Sequence, residues 1–244
     1  MTTPLILAHR GFSGNFPENS RRGFLEAINV KGCHGFETDL QMSSDGELVI
    51  IHDETLERTT TGTGYVNATT FKDLRKLDIG SWKGPQFAGE AIMALDELLE
   101  LAIQHNKKIN LELKNYLIYY PNMEEKVIER ICAFKAEDKV FLSSFNHVSM
   151  EKARSINPNI PTGLLYHQPL INVEKYATGH ALHPHHLLLQ HDPGLVTRAH
   201  KEGLKIHTWT VNKDSDMRTL IKMKVDSIIT DYPNKLAKIL EEKE

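Results

Sequence analysis

A chain of 244 residues is long enough for one large core or two small domains. Its 40% hydrophobic and 25% charged residues are the proportions of a globular protein and exclude a disordered or membrane-embedded chain. A formal net charge of -3, from 29 Lys+Arg against 32 Asp+Glu, excludes a field built to hold nucleic acid, so any anionic ligand has to be held locally.

The chain begins MTTPLILAHR, with a short apolar run ahead of a charged pair and neither a basic leader nor a cleavage-like site, so no signal peptide is expected. Cys33 and Cys132 are far apart and belong to no CxxC motif, which points to a reducing compartment and a cytoplasmic location. From LILA (5–8) onward, short apolar runs alternate with segments whose apolar residues fall at helical spacing. The later runs are HGFETDL (34–40), INLEL (109–113), KVFLS (139–143), PTGLLY (161–166), HLLLQ (186–190), LKIHTWTV (204–211) and VDSIIT (225–230). Strands alternating with helices imply a parallel sheet. Eight such units in this length fit a closed (β/α)8 TIM barrel of the α/β class, with an open doubly wound sheet as the rival. No run approaches the roughly 18 apolar residues of a membrane span.

The second and third runs are much further apart than the later ones. Between them lie a returning strand, ELVIIHD, and a Thr/Gly-rich excursion suited to turns. We therefore expect a single domain over residues 1–244, with a small insertion at about 54–90 after the second strand that covers the barrel mouth.

The stretch FETDLQMSSDGELVIIHD carries Glu37, Asp39 and Gln41 at period two, an acidic strand face where a buried strand should be apolar. Asp45-Gly46 is a strong hairpin signal; as a two-residue loop it opposes Ser44 to Glu47, and counting back sets His52 beside Asp39. His9 and Arg10 close the first strand, and Glu112 and Lys114 end the third, so all these groups converge on one rim, the C-terminal end of a barrel. Three carboxylates in one place repel one another, and a divalent metal resolves the conflict. Oxygen-only ligands favour one hard ion, Mg2+ or Ca2+, over Zn2+. Two histidines flanking a metal-bound phosphate supply an acid and a base for phosphodiester cleavage, while Arg10 and Lys114 add positive charge for its oxygens.

HRGFSGNFPENS, FETDLQMSSDGELVIIHDETLERTT, LELK and HTWTVN resemble the signature blocks of the glycerophosphodiester phosphodiesterase family, in the same order and across nearly the whole chain. The resemblance implies a TIM barrel with an insertion after the second strand. It also implies metal-dependent hydrolysis of glycerophosphodiesters to an alcohol and glycerol 3-phosphate. It makes His9 and His52 the acid/base pair, and Glu37, Asp39 and Glu112 the metal ligands. Arg10 and Lys114 would hold phosphate, and Trp209 would line the glycerol pocket. The alternatives are a lysophospholipase D acting on the same linkage with an acyl chain attached, and a noncatalytic module that binds glycerophosphodiesters.

Other signals read two ways. Asn19 is the expected N-cap of RRGFLEAI, and Glu18 beside it is a candidate for orienting the site. The histidines of HALHPHH lie ahead of the HLLLQ strand and lack the framing of a zinc motif, and His191 ends that strand within reach of the rim. Trp209 shares a strand face with His207 and Val211, so barrel filling competes with a place at the mouth. Asp231 follows the last strand as either a turn residue or a rim hydrogen-bond partner.

Overall fold

A parallel sheet buries both faces, and closing it on itself leaves no edge strand exposed. The computed structural model describes residues 3–242 and takes this solution; the outermost positions of the expected 1–244 span lie outside the described residues. The strands are β1 (Leu5–His9), β2 (Gly35–Met42), β3 (Leu48–Ile50), β4 (Lys108–Leu113), β5 (Val140–Ser144), β6 (Thr162–Tyr166), β7 (Ala181–Pro184), β8 (Lys205–Thr208) and β9 (Ser227–Thr230). Eight run parallel in the order β1-β9-β8-β7-β6-β5-β4-β2, and pairing of β1 with β2 closes the barrel. The remaining strand, β3, returns antiparallel along the far end of β2.

Alternation along each strand sends one set of side chains outward to the helices and the other into the lumen. Outward residues such as Ile6, Phe36, Ile109 and Leu111 join the main apolar cluster with Phe24, Leu98 and Val127 of the surrounding helices. Phe24, on the helix Arg21–Asn29, stacks on Phe36 with ring centroids 4.8 Å apart, and truncating either to alanine is expected to cost about 3–5 kcal/mol. That helix begins at Ser20, whose side chain accepts the amide hydrogen of Gly23.

Residues 51–94 form the excursion between β3 and the helix Leu95–Gln104. They carry a smaller apolar cluster of their own, with Leu56, Val66, Leu74, Ile79 and Ile92 packed on Val49 and Ile51. Ile50 belongs to the main core, so β3 is the seam between the two clusters. Among the described residues no helix is long and apolar enough to cross a membrane.

Three local expectations are corrected. The sixth barrel strand is Ala181–Pro184, and HLLLQ lies in the helix His186–His191. A four-residue strand ending in proline carries little strand signal, whereas three successive leucines imitate a buried strand; only Leu189 of that helix is buried. The hairpin loop is one residue longer than a two-residue turn. Met42 opposes Leu48, Ser43 pairs with Glu47, and Gly46 takes a φ of 84°, the left-handed position of the three-residue hairpin. Ile51 rather than His52 therefore lies opposite Asp39, donating its amide to the Asp39 carbonyl. Finally, the cap of the first helix is Ser20, and Asn19 is left free for another task.

Candidate active site

The C-terminal end of the lumen is where the strands deliver the polar groups. Register sets His9 level with Glu37, and Asp39 level with Glu112. Glu37, Asp39 and Glu112 are buried, and each offers a carboxylate oxygen within 4.8 Å of the others. Burial, together with the charges of Asp39 and Glu112, pushes the Glu37 carboxyl well above its ordinary range. Burial pushes Glu112 up to about 7, with Lys114 opposing and Asp39 adding to the rise. Asp39 is held low: burial opposes its charge, but Arg10, His52 and Lys114 outweigh that penalty and Asn19 donates a hydrogen bond.

This set fits a hard divalent cation. All three donors are oxygens, and Oδ1 of Asp39 is buried without a hydrogen-bond partner among the described residues, an acceptor left open toward the other two carboxylates.

The cations nearby come from fixed places. Arg10 adopts a left-handed backbone with φ of 53°, an uncommon geometry for a side-chain-bearing residue. In that geometry its amide donates to Glu37 Oε2 at 3.1 Å, and its Nε lies 3.2 Å from Asp39 Oδ2. Asn19 is also left-handed, with φ of 55°; its Nδ2 donates to Asp39 Oδ2 at 3.0 Å, and its Oδ1 accepts from Thr38. Asn19 thus locks an acidic side chain instead of capping a helix. Lys114 is almost wholly buried, with its Nζ 2.9 Å from Glu112 Oε1 and 3.7 Å from Asp39 Oδ1. Burial works against its charge, yet Glu112 and Asp39 outweigh it and hold the ammonium protonated.

Each histidine at the rim has an aspartate on Nδ1. His9 meets Asp231 Oδ1 at 2.6 Å, and His52 meets Asp53 Oδ1 at 2.5 Å. The Nε2 atoms face the cavity: that of His9 lies 3.8 Å from Glu37 Oε2, and that of His52 accepts from Lys114 Nζ at 3.2 Å. Burial opposes the Asp231 charge, but His9, Asn212 and Ser13 outweigh it and hold its carboxyl at about 2. Asp231 is therefore a rim hydrogen-bond partner, ionised at any working pH.

One cavity of about 230 Å³ is lined by His9, Arg10, Glu37, His52, Glu112 and Lys114, and Trp209 also borders it. Asp39 lies beneath, within the carboxylate cluster. Trp209 stands edge-on to Phe145 at 5.5 Å, and Phe145 meets Tyr116 at 5.6 Å, so one wall of the cavity is aromatic. The expected site residues come together. His191 does not: it ends an exposed helix rather than a strand. His183 is buried deep in the lumen, and His185 caps that same helix by accepting from Leu187. Asp53 and Arg58 were not singled out by sequence. The Asp next to His52 was a readable signal, but Arg58 sits in a run of threonines with nothing to mark its partners.

The sequence profile of the glycerophosphoryl diester phosphodiesterase family matches residues 9–235. The chain is similar to a glycerophosphodiester phosphodiesterase of Caldanaerobacter subterraneus, 40% identical over 97% of each chain. It is also 37% identical to one of Bacillus altitudinis, over 97% of this chain and 98% of the other. Among solved structures, it is similar to an Oleispira antarctica phosphodiesterase in complex with the product sn-glycerol-3-phosphate, with a TM-score of 0.89 and 30% identity over 98% of this chain and 97% of that one. A Silicibacter pomeroyi structure gives a TM-score of 0.88 at 26% identity, covering 99% and 94%.

Proposed function

The chain belongs to the glycerophosphoryl diester phosphodiesterase family and is a phosphodiesterase of glycerophosphodiesters; from that premise we propose that it cleaves them to an alcohol and glycerol 3-phosphate, using one divalent cation and the histidines His9 and His52. The observation that carries this reading is the pairing of a buried three-carboxylate cluster with two histidines, each oriented through Nδ1 by its own aspartate.

Glu37, Asp39 and Glu112 would hold the cation, Mg2+ or Ca2+. Once bound, it would draw charge from the phosphoryl oxygens and keep the three carboxylates ionised. Arg10 and Lys114 supply the fixed positive charge that meets the developing negative charge on phosphate, and because both are already held by carboxylates, little reorganisation accompanies the reaction. An Nδ1 proton shared with aspartate fixes each imidazole so that Nε2 exchanges a proton with substrate. One histidine takes the proton of the attacking oxygen and the other protonates the leaving alkoxide. Trp209 and the aromatic wall beside it exclude water from the glycerol side. The two cysteines, Cys33 and Cys132, are unpaired, which supports a cytoplasmic location.

A lysophospholipase D reading has one observation in its favour: Leu117, Tyr119, Leu170 and Ile171 are exposed on loops that follow β4 and β6 at the same barrel end, an apolar border suited to an acyl chain. Turnover of glycerophosphocholine by purified protein is the deciding assay, run with EDTA and after restoring Mg2+ or Ca2+, with lysophosphatidylcholine alongside. The expected result is metal-dependent release of choline from glycerophosphocholine. Absence of turnover with either metal overturns the proposal, and faster turnover of the acylated substrate favours the second reading.

A further inference from the structure

Arg58 lies outside the cavity, on the excursion after β3, and its side chain remains 43% exposed. Its guanidinium is nevertheless shared between two carboxylates. Nε and Nη2 donate to Asp53 at 2.6 and 2.9 Å, and Nη1 and Nη2 donate to Glu18 at 2.9 and 2.7 Å. Each of those carboxylates holds a residue of the site. Asp53 meets Nδ1 of His52 at 2.5 Å, and Glu18 accepts from Arg10 Nη1 at 2.8 Å. Arg10 and Glu18 belong to the loop after β1, whereas His52, Asp53 and Arg58 follow β3, so one arginine ties the two loops at the mouth, beside the bond from Lys83 Nζ to the Ser13 carbonyl and the contact of Phe16 with Phe87 further along them.

We infer that Arg58 is a positioning residue for phosphodiester cleavage: it clips the His52 side of the mouth to the Arg10 side by holding Asp53 and Glu18 in one planar fork. The inference rests on the proposed role of His52. Only a guanidinium presents donors in a rigid fork that satisfies two carboxylates at once, so lysine is a poor substitute. Asp53 left without Arg58 can turn away from His52, and the Nε2 of His52 then loses its aim. Glu18 left without Arg58 keeps only Arg10, and the Arg10 fork is drawn from phosphate toward Glu18. A displacement of about 1 Å at a reacting group can cost about 10²-fold in rate. Burial opposes the Asp53 charge, but Arg58 and His52 outweigh it and hold its carboxyl at about 2, so the clip persists at any working pH.

The test is steady-state kinetics of Arg58→Ala and Arg58→Lys on glycerophosphocholine, with metal affinity measured by calorimetry and folding followed by thermal unfolding. Both variants are expected to lose about 10²-fold in kcat, with KM changed by less than about threefold and metal affinity unchanged. Added guanidinium ion should restore part of the kcat of Arg58→Ala. Coupling is read from the pair Arg58→Ala and Asp53→Asn: because Arg58 acts in part through Asp53, the double variant should lose clearly less than the product of the two single losses, the remainder being the arm through Glu18. Wild-type kcat in Arg58→Ala, or multiplicative losses in the double variant, overturns the inference. If His52→Ala also kept full activity, the failure would belong to the proposed mechanism instead of to the clip.

Discussion

The two ends of the barrel lumen are both polar, and they solve the burial of polar groups in opposite ways. At the C-terminal end, three carboxylates face two cations and two histidines, and nearly every charge meets an opposite charge. Toward the N-terminal end stand His183 and His207, ring centroids 4.7 Å apart, with no carboxylate partner. Both ring nitrogens of His183 and Nδ1 of His207 lack a hydrogen-bond partner in the protein. The two imidazoles border a cavity of about 570 Å³ at this end, and His183 packs so closely over Gly163 that an added Cβ there would lie 2.2 Å from its Nε2. Burial is the main force that keeps these imidazoles neutral: it pushes His183 well down, with His207 adding to the fall, and it pushes His207 down to about 4, with Asp226 opposing and Lys205 adding. The difference teaches that unpartnered buried polar atoms do not by themselves mark a catalytic site. What marks the upper end is that opposite charges converge there, so that Asp39, Arg10 and Lys114 stay ionised despite burial.

The largest effect expected from breaking the upper arrangement is removal of the metal. Without the proposed cation, burial favours the protonated forms of Glu37 and Glu112, and the site would lose part of the charge contrast that separates it from the lower end. Dialysis against EDTA should reduce turnover by at least about 10³-fold, corresponding to several kcal/mol of barrier, and added Mg2+ or Ca2+ should restore it. Calorimetry on Glu37→Gln should show sharply weaker metal binding. Unchanged affinity would remove Glu37 from the ligand set.

The histidines come next. His9→Ala and His52→Ala should each lose about 10² to 10⁴ in kcat while still binding metal. If the two act on one proton-transfer sequence, as proposed, the double variant should fall little below the worse single variant. An aryl phosphodiester has a leaving group that needs no acid, so it should rescue whichever variant has lost the acid. If neither is rescued, the acid lies elsewhere, and near-wild-type turnover of either rules out the two-histidine mechanism.

Much of the upper end was legible because function imposed a pattern that folding does not. Period-two acids on β2, a histidine after β3 and a Glu-x-Lys ending β4 are poor choices for a buried strand, and their oddity is the signal. The lower end offered no such contrast. His183 sits in ALHP, whose lack of β-branched residues hid the strand, while the neighbouring leucines suggested a strand where a helix forms. Hairpin register also escaped, because Asp45-Gly46 serves two-residue and three-residue loops alike with Gly46 left-handed in both, and what separates them is Asp45, which is not left-handed here. Asn19 and Ser20 are both good caps, and the choice between them depends on Asp39, twenty positions away and on another element. Arg58 depends on Glu18 at still longer range, which no local pattern encodes.

A smaller effect concerns the excursion. Apart from His52, Asp53 and Arg58, the excursion adds no group to the site cavity, so the expected role of the rest of it is in substrate choice. Replacing residues 60–90 with the corresponding segment of a relative that prefers another headgroup should shift selectivity while kcat on an aryl phosphodiester is kept. Selectivity that stays fixed would assign the choice to the loops after β4 to β8.

The smallest effect, and the one that tests the lower end directly, is on stability in acid. An imidazole with an ordinary pKa near 6.5 in the unfolded chain and about 4 in the folded protein binds a proton more readily when unfolded. Its contribution to stability is therefore complete above pH 6.5 and is lost as pH falls from there through 4. For His207 the loss between pH 7 and pH 5 amounts to about 2 kcal/mol. Glu112, raised to about 7 in the metal-free protein, titrates in the same window with the opposite sign, so the measurement has to be a difference. Urea unfolding of wild type and His207→Gln, both saturated with metal, should give a wild-type advantage that shrinks by about 2 kcal/mol from pH 7 to pH 5. Asp231 and Asp53, held at about 2, keep their stabilising contribution down to about pH 4 and lose it only below, so they leave that window clear. A constant difference across it would mean that His207 finds a proton acceptor or water in the folded barrel, and the contrast between a charge-paired upper end and a neutral lower end would then fail at its clearest residue.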